Sequence, residues 1–144
     1  MRAMSTSIDT IREDFAFLDD WEERYRYIIE LGNDLPDYPD AARDDRHKVR
    51  GCVSQVWLLT DIEGGPDPVI TFMGDSDAHI VRGLVAIMLA LFSGKRASEI
   101  VAIDAEHTMR ELGLDEHLTP QRANGLRAMV RRMKEEAAAA MSVA

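Results

Sequence analysis

Apolar residues recur at helical spacing twice before residue 35. Ile11, Phe15 and Leu18 follow Ser7, whose hydroxyl suits an N-cap. Trp21, Tyr25, Ile28 and Ile29 share one face of a second helix begun by Asp19 or Asp20, and Gly32 is placed to stop it. Residues 35–46 hold two prolines and several aspartates and predict an extended loop. The pattern then changes. Val53, Val56, Trp57, Leu58 and Leu59 favour a strand, Glu63-Gly64-Gly65-Pro66 is a turn, and residues 69–73 form a second strand, so the two should pair as an antiparallel hairpin. Residues 47–49 predict a short third strand, which puts Gly51-Cys52 at the bend before the hairpin. Ser76 is placed to cap a helix over 77–92 that is apolar nearly all round and therefore buried, with Gly94 ending it. Short helices follow over 97–103 and 105–112, the second closed by Gly113. Thr119-Pro120 starts a last helix through Leu126, Met129, Val130 and Met133 into an alanine-rich tail.

A chain of 144 residues fits one domain, taken here as 1–144 with residues 1–7 a disordered start. At that size the core needs no disulfide or metal staple. The formal charge of −9 argues against nucleic acid and against an anionic membrane surface, since no basic surplus exists to displace counterions. The acidity reads as solubility, or as docking onto a basic patch of a partner. One cysteine excludes an intrachain disulfide and an all-cysteine metal site, and it fits a cytoplasmic protein. No signal-peptide order of basic, apolar and small residues opens the chain. The longest nearly apolar run, residues 80–92, is too short to span a bilayer.

A lone cysteine can be an inert buried hydrophobe. Three features favour reactivity for Cys52. Gly51 precedes it at a bend and can adopt a positive φ. Arg46, Lys48 and Arg50 lie upstream in an otherwise acidic chain, and positive charge favours the thiolate. The segment also joins structured elements, where functional side chains are often displayed. A hydrolase would need a histidine base and an orienting group, and the spacing of His47, His79, His107 and His117 singles out none. A redox switch would want a resolving cysteine, and a metal site would want more ligands. A single activated thiol can accept a group, hold it and release it, by the rules of thiol–disulfide exchange. Asp75 and Asp77 flank Ser76 and read as helix-capping carboxylates, and Asp44 and Asp45 as a solvated loop.

Gly51-Cys52-Val53-Ser54-Gln55-Val56-Trp57 resembles the cysteine motif of the SufE family of sulfur acceptors. Trp21-Glu22-Glu23-Arg24-Tyr25 and Tyr27-Ile28-Ile29-Glu30-Leu31-Gly32 are similar to its N-terminal helix. Gly74-Asp75-Ser76-Asp77-Ala78 with Ile80-Val81 and Gly83-Leu84 resembles its central helix start, and His117-Leu118-Thr119-Pro120 with Arg122 and Gly125-Leu126 its last helix. Four segments in family order are specific where a single Gly-Cys pair is not.

The resemblance implies an α+β fold, a small antiparallel sheet of about three strands packed by helices, like that of the U-type cluster scaffolds. It implies that Cys52 receives a persulfide from a SufS-type cysteine desulfurase, speeds that enzyme, and delivers sulfur to iron–sulfur cluster assembly on a SufBCD-type scaffold. The chain would have no independent turnover and no cofactor of its own, because the pyridoxal phosphate belongs to the desulfurase. Arg122, Asp75 and Gly51 match positions near the cysteine loop. Structural roles stay open for Arg122, which could bind a neighbouring Glu or Asp, and for Asp75. Val53, Trp57 and the Ile80-Val81 region are expected to shelter Cys52. The 35–46 loop is weakly constrained on this reading and, with the 61–68 hairpin, would set which desulfurase is recognised. A paralogous carrier for a different desulfurase and sulfur-trafficking pathway, or a non-catalytic regulatory binding module, are the alternatives. A homodimer is compatible with either.

Overall fold

A computed structural model describes residues 6–142. Residues 1–5 of the expected disordered start lie outside the described residues. Ser7 accepts a hydrogen bond from the Thr10 amide at 3.1 Å and caps α1 (Ile8–Phe17). Asp20 does the same for the Glu23 amide at 2.8 Å, starting α2 (Trp21–Asn33). Gly32 does not stop α2. It lies inside the helix and against α3 (His79–Phe92), where a Cβ would come within 2.7 Å of the Gly83 amide nitrogen. A Cβ on Gly83 would fall 2.1 Å from the Ile28 carbonyl oxygen. The two glycines therefore let the α2 and α3 backbones touch, and a side chain at either would push the helices apart.

β1 (Val56–Glu63) and β2 (Val69–Ser76) form the expected hairpin, in register from Val56 opposite Ser76 to Glu63 opposite Val69. Alternate side chains face opposite sides. Val56, Leu58, Ile70 and Phe72 enter the main core, whereas Trp57, Leu59 and Met73 meet Tyr38 and Ala42 on the other face. The third strand is not at 47–49. That segment makes one antiparallel bridge, Lys48 opposite Trp57, and the third strand is β3 (Lys95–Arg96), giving the order β1-β2-β3. Gly94, at φ +81°, turns the chain back from α3 so that its amide reaches the Ile70 carbonyl at 2.8 Å.

Ser76 ends β2 and does not cap α3, which starts at His79 after Ala78. The β1–β2 register extends to Ser76 and delays the helix. α3 places Leu84, Ile87, Met88 and Phe92 out of solvent, each worth about 2–3 kcal/mol of hydrophobic burial. α4 (Ala97–Ala102) and α5 (Ala105–Glu111) match expectation, and α6 (Leu114–His117) is an additional single turn after Gly113 at φ +71°. α7 (Pro120–Ser142) crosses the core with Leu126, Met129 and Met133 inward. No helix among the described residues is long and apolar enough to cross a membrane.

The 35–46 segment is more ordered than a weakly constrained loop. It includes a single 3-10 turn, Asp40–Ala42, and packs Tyr38 and Ala42 over Trp57. The Tyr38 hydroxyl donates to the Ala42 carbonyl at 3.0 Å, and burial, then the Asp44 charge, push its pKa up to about 12. Arg43 lies over the Tyr38 and Trp57 rings, 5.5 and 5.9 Å from their centroids.

Candidate functional site

The cysteine loop hangs between two clamps. Upstream, the Val49 amide donates to the Val56 carbonyl and the Leu58 amide to the His47 carbonyl, both at 2.8 Å. Arg132 of α7 donates to the carbonyls of Lys48 at 3.0 Å and Arg46 at 3.1 Å, while its Nε lies 3.3 Å from Glu136. Downstream, Asp77 accepts from the Gln55 amide at 3.0 Å and returns its own amide to the Gln55 carbonyl at 3.3 Å. Asp77 thus holds the loop and does not cap a helix. Between the clamps, Gly51 takes φ +93°, the left-handed conformation anticipated for it, and a Cβ there would lie 3.2 Å from that of Ala128.

Cys52 is half-buried, and its thiol donates to the carbonyl of Gly125 in α7 at 3.5 Å. Gly125 is the seat. A Cβ at this position would stand 3.5 Å from Sγ and 3.9 Å from the Cys52 Cα. Beside the thiol opens a cavity of about 240 Å³, with Val81, Leu84 and Met129 as apolar wall and Thr119, Gln121 and Arg122 as polar rim. It is smaller than the roughly 300–1,000 Å³ pockets that enclose drug-sized ligands, and suits a group of a few atoms. Burial pushes the Cys52 thiol above its ordinary value. The expectation is that Arg46, Lys48 and Arg50 favour the thiolate, and in the seated loop burial works against them. Arg46 and Arg50 are exposed, and desolvation prevails at the sulfur.

Arg122 is where the resemblance implied, at the cavity rim, exposed in the first turn of α7. Its amide donates to the Thr119 hydroxyl at 3.3 Å, and its guanidinium makes no ion pair among the described residues, so it does not tie down a neighbouring acid. Asp75 is elsewhere. It sits on β2 opposite Trp57, outside the cavity lining, with Oδ2 at 2.5 Å from Arg43 Nη2 and Oδ1 at 2.9 Å from Arg82 Nε. The Arg82 N–H does not point at that oxygen, so the second contact is an ion pair without a hydrogen bond. Asp75 joins the 35–46 segment to α3 and caps nothing.

The expected shelter is corrected in part. Val81 lines the cavity, but Trp57 is buried on the opposite face of the sheet, Ile80 is not in the lining, and Val53 at its mouth is 79% exposed. Leu84, Met129, Gly125 and the clamp residue Arg132 were missed. An isolated glycine inside a helical pattern signals a close backbone approach, and Gly125 carried that signal. None of the four histidines lines the cavity: His47 Nδ1 is 2.8 Å from Asp44, His117 stacks on Trp21 with centroids 4.0 Å apart, and His79 and His107 are exposed. Among the described residues no three His, Cys, Asp or Glu side chains gather as a metal site.

Residues 9–137 match the family model SufE, the Fe-S metabolism associated domain. A SufE-like protein of Rhizobium meliloti (strain 1021) is 63% identical over 133 residues, covering 92% of this chain and 95% of that protein. A SufE-like protein of Rhizobium etli is 58% identical over 137 residues, covering 94% and 93%. The solution structure of a hypothetical protein from Thermus thermophilus shares the α+β fold at a TM-score of 0.74, with 21% identity over 94% of this chain and 96% of that one. With the lone thiol seated on α7 and a family match spanning both the cysteine loop and that helix, the chain belongs to the SufE family of Fe–S metabolism proteins.

Proposed function

We propose that this protein is a sulfur carrier that accepts sulfane sulfur on Cys52 from a cysteine desulfurase and passes it toward iron–sulfur cluster assembly. The observation that carries the reading is the seating of Cys52: a half-buried thiol over a small cavity, on a loop clamped at both ends. Among the described residues the one side-chain hydrogen bond from residues 50–54 is that from Sγ to Gly125. Such a loop can swing out without unfolding its supports.

The transfer needs no cofactor on this chain. In the free protein the thiol is protonated and shielded. Drawn out of its seat, it regains its ordinary acidity, and Arg46 and Arg50 then favour the thiolate. The Cys52 thiolate attacks the outer sulfur of the donor's cysteine persulfide. A new S–S bond forms on Cys52, the donor S–S bond breaks, and the donor cysteine leaves as thiolate. No net electrons are exchanged. Return of the loop places the added sulfur in the cavity, with Val81, Leu84 and Met129 excluding reductant and Arg122 able to face the persulfide anion. The partner read here is a cytoplasmic SufS-type desulfurase that holds the pyridoxal phosphate, and the onward acceptor a SufBCD-type scaffold.

Intact mass after incubation with a pyridoxal-phosphate-dependent cysteine desulfurase and L-cysteine tests this. The expected gain is about 32 Da, removed by reductant and absent in Cys52→Ser. Arg122→Ala should slow the gain with the fold intact. No gain in the wild type, with desulfurase stimulation retained in Cys52→Ser, would replace the carrier with a regulatory binding module.

A further inference from the structure

The chain's net charge of −9 hides a sharp segregation. Residues 46–60 and 118–134 contain eight of the 17 lysines and arginines and no aspartate or glutamate. The remaining nine cations share the rest of the chain with all 26 acids. These two acid-free segments, 58 residues apart in sequence, are the ones the fold brings together at Cys52. Cys52 bonds Gly125, Gly51 abuts Ala128, and Arg132 holds the carbonyls of Lys48 and Arg46, so residues 46–52 run along α7.

Most of the cations on the Cys52 side make no ion pair among the described residues, although His47 and, in smaller part, the Arg46 charge hold the nearby Asp44 carboxyl below its ordinary range. Arg127 pairs with Glu106, Arg132 with Glu136, and Lys134 bonds the Val101 and Ile103 carbonyls. Arg46, Lys48, Arg50 and Arg122 make no ion pair among the described residues, and all but Lys48 are exposed, whereas Arg131 lies with Arg127 and Lys134 beside Asp104 and Glu106 on another side of α7. Away from this face the cations are mixed: Arg12, Arg26, Arg43 and Arg82 each pair with an acid, while Arg24, Lys95, Arg96 and Arg110 make no ion pair among the described residues but are spread over α2, β3 and α5. Exposed like charges on one face repel weakly through solvent, so an unpaired basic rim gains most when an opposite surface meets it.

We infer that the Cys52 face is an electropositive dock for an acidic protein surface, the carboxylate-rich entrance to the donor's reactive cysteine. The inference rests on the sulfur-carrier reading and reverses the polarity suggested by net charge, which pointed to a basic patch on the partner. An acidic protein is favoured over nucleic acid or an anionic membrane because the acidic bulk of the chain repels an extended polyanion, while a compact acidic rim meets only the basic face. Val53, 79% exposed between the rim and the cavity, supplies one apolar contact at the centre. The opposed charges of face and body also orient the chain during approach.

The test is the rate of sulfur uptake, read by mass, with the same organism's pyridoxal-phosphate-dependent cysteine desulfurase. Wild type should lose about tenfold in kcat/KM as ionic strength rises from about 0.02 to 0.3 M. Arg46→Glu with Arg50→Glu should raise KM for this chain about tenfold and flatten the salt dependence. Arg122→Glu, on α7 and outside the loop, should likewise flatten the salt dependence, whereas Arg131→Glu, beside Asp104 and Glu106, should stay within about twofold. Lys95→Glu with Arg110→Glu, the same charge change elsewhere, should stay within about twofold. Uptake equal in the rim and control variants, or rising with salt, overturns the acidic dock and leaves the carrier reading standing. No uptake by wild type at any salt overturns both. Binding of wild type to duplex DNA or to phosphatidylserine vesicles at about 0.15 M salt, lost on rim reversal, would assign the face to a polyanion instead.

Discussion

Replacing Gly125 with valine should unseat Cys52 while leaving the helix intact. The Cβ position at residue 125 is 3.5 Å from the sulfur, so alanine would be in ordinary contact. Valine carries its methyls about 1.5 Å farther. A methyl directed at the loop would close the gap to about 2 Å, far inside van der Waals distance. Either α7 or the cysteine loop must give way. α7 is 23 residues long and carries Leu126, Met129 and Met133 into the core, whereas Cys52 is held by one weak S–H bond and partial burial. Helix propensity also favours valine over glycine, by a few tenths of a kcal/mol. The loop therefore moves. Overpacking of this kind typically amounts to about 1–3 kcal/mol, and about 1.4 kcal/mol is tenfold in the ratio of seated to free loop. Iodoacetamide alkylation at neutral pH, followed by mass, should accelerate at least about tenfold in Gly125→Val, and the melting temperature should fall by about 5 °C. Gly125→Ala should instead melt higher and react no faster. If Gly125→Val reacts at the wild-type rate with an unchanged melt, Cys52 is not seated on this residue in solution, and the sheltered-loop account fails.

Asp75→Asn keeps the size of the side chain but removes the charge shared by Arg43 and Arg82; thermal melting should fall by several degrees, with Cys52 alkylation unchanged, and faster alkylation at an unaltered melt would return Asp75 to the site. Arg132→Ala removes two bonds to loop carbonyls and should lower urea stability by about 1–2 kcal/mol while speeding alkylation; Arg132→Lys should recover part of both, since one ammonium cannot reproduce the fork. Burial raises the thiol pKa in the folded state, so the stability from seating Cys52 is complete below the ordinary thiol range and lost as pH climbs through the raised value. Urea melts from about pH 7 to 10 should therefore show a larger alkaline loss in wild type than in Cys52→Ala, and parallel curves would contradict a buried thiol.

Local chemistry made much of the fold legible before any coordinates. Ser7 and the Asp20 alternative announced the first two helices because a cap needs only its own turn, and Gly64-Gly65-Pro66 announced the hairpin. The misreadings arose where a distant contact outweighed local preference. Ser76 has the form of a cap, but the partner strand holds it as far as Val56. Gly32 has the form of a stop, but α3 needs its missing side chain. β3 is two charged residues with no alternation to detect, created by the reversal at Gly94. The site divides in the same way. Cys52 and the positive φ of Gly51 were readable from neighbours, whereas Gly125, 73 residues away, became part of the site only through packing. The upstream cations misled on the thiol's acidity because sequence gives proximity along the chain, not the desolvation that dominates at the sulfur.

Arg122, the seat at Gly125, the abutment at Ala128 and the clamp at Arg132 all belong to one uninterrupted helix. At about 1.5 Å per residue they span about 15 Å along a straight axis. α7 is thus a ruler as well as a support, since it fixes the spacing of the rim, thiol and hinge in one rigid piece. A docking protein must present its carboxylates and its cysteine on the same scale. Relatives that alter the 61–68 hairpin would keep that gauge unchanged, while a one-residue insertion between 122 and 132 would rotate half of the footprint by about 100° and break the match.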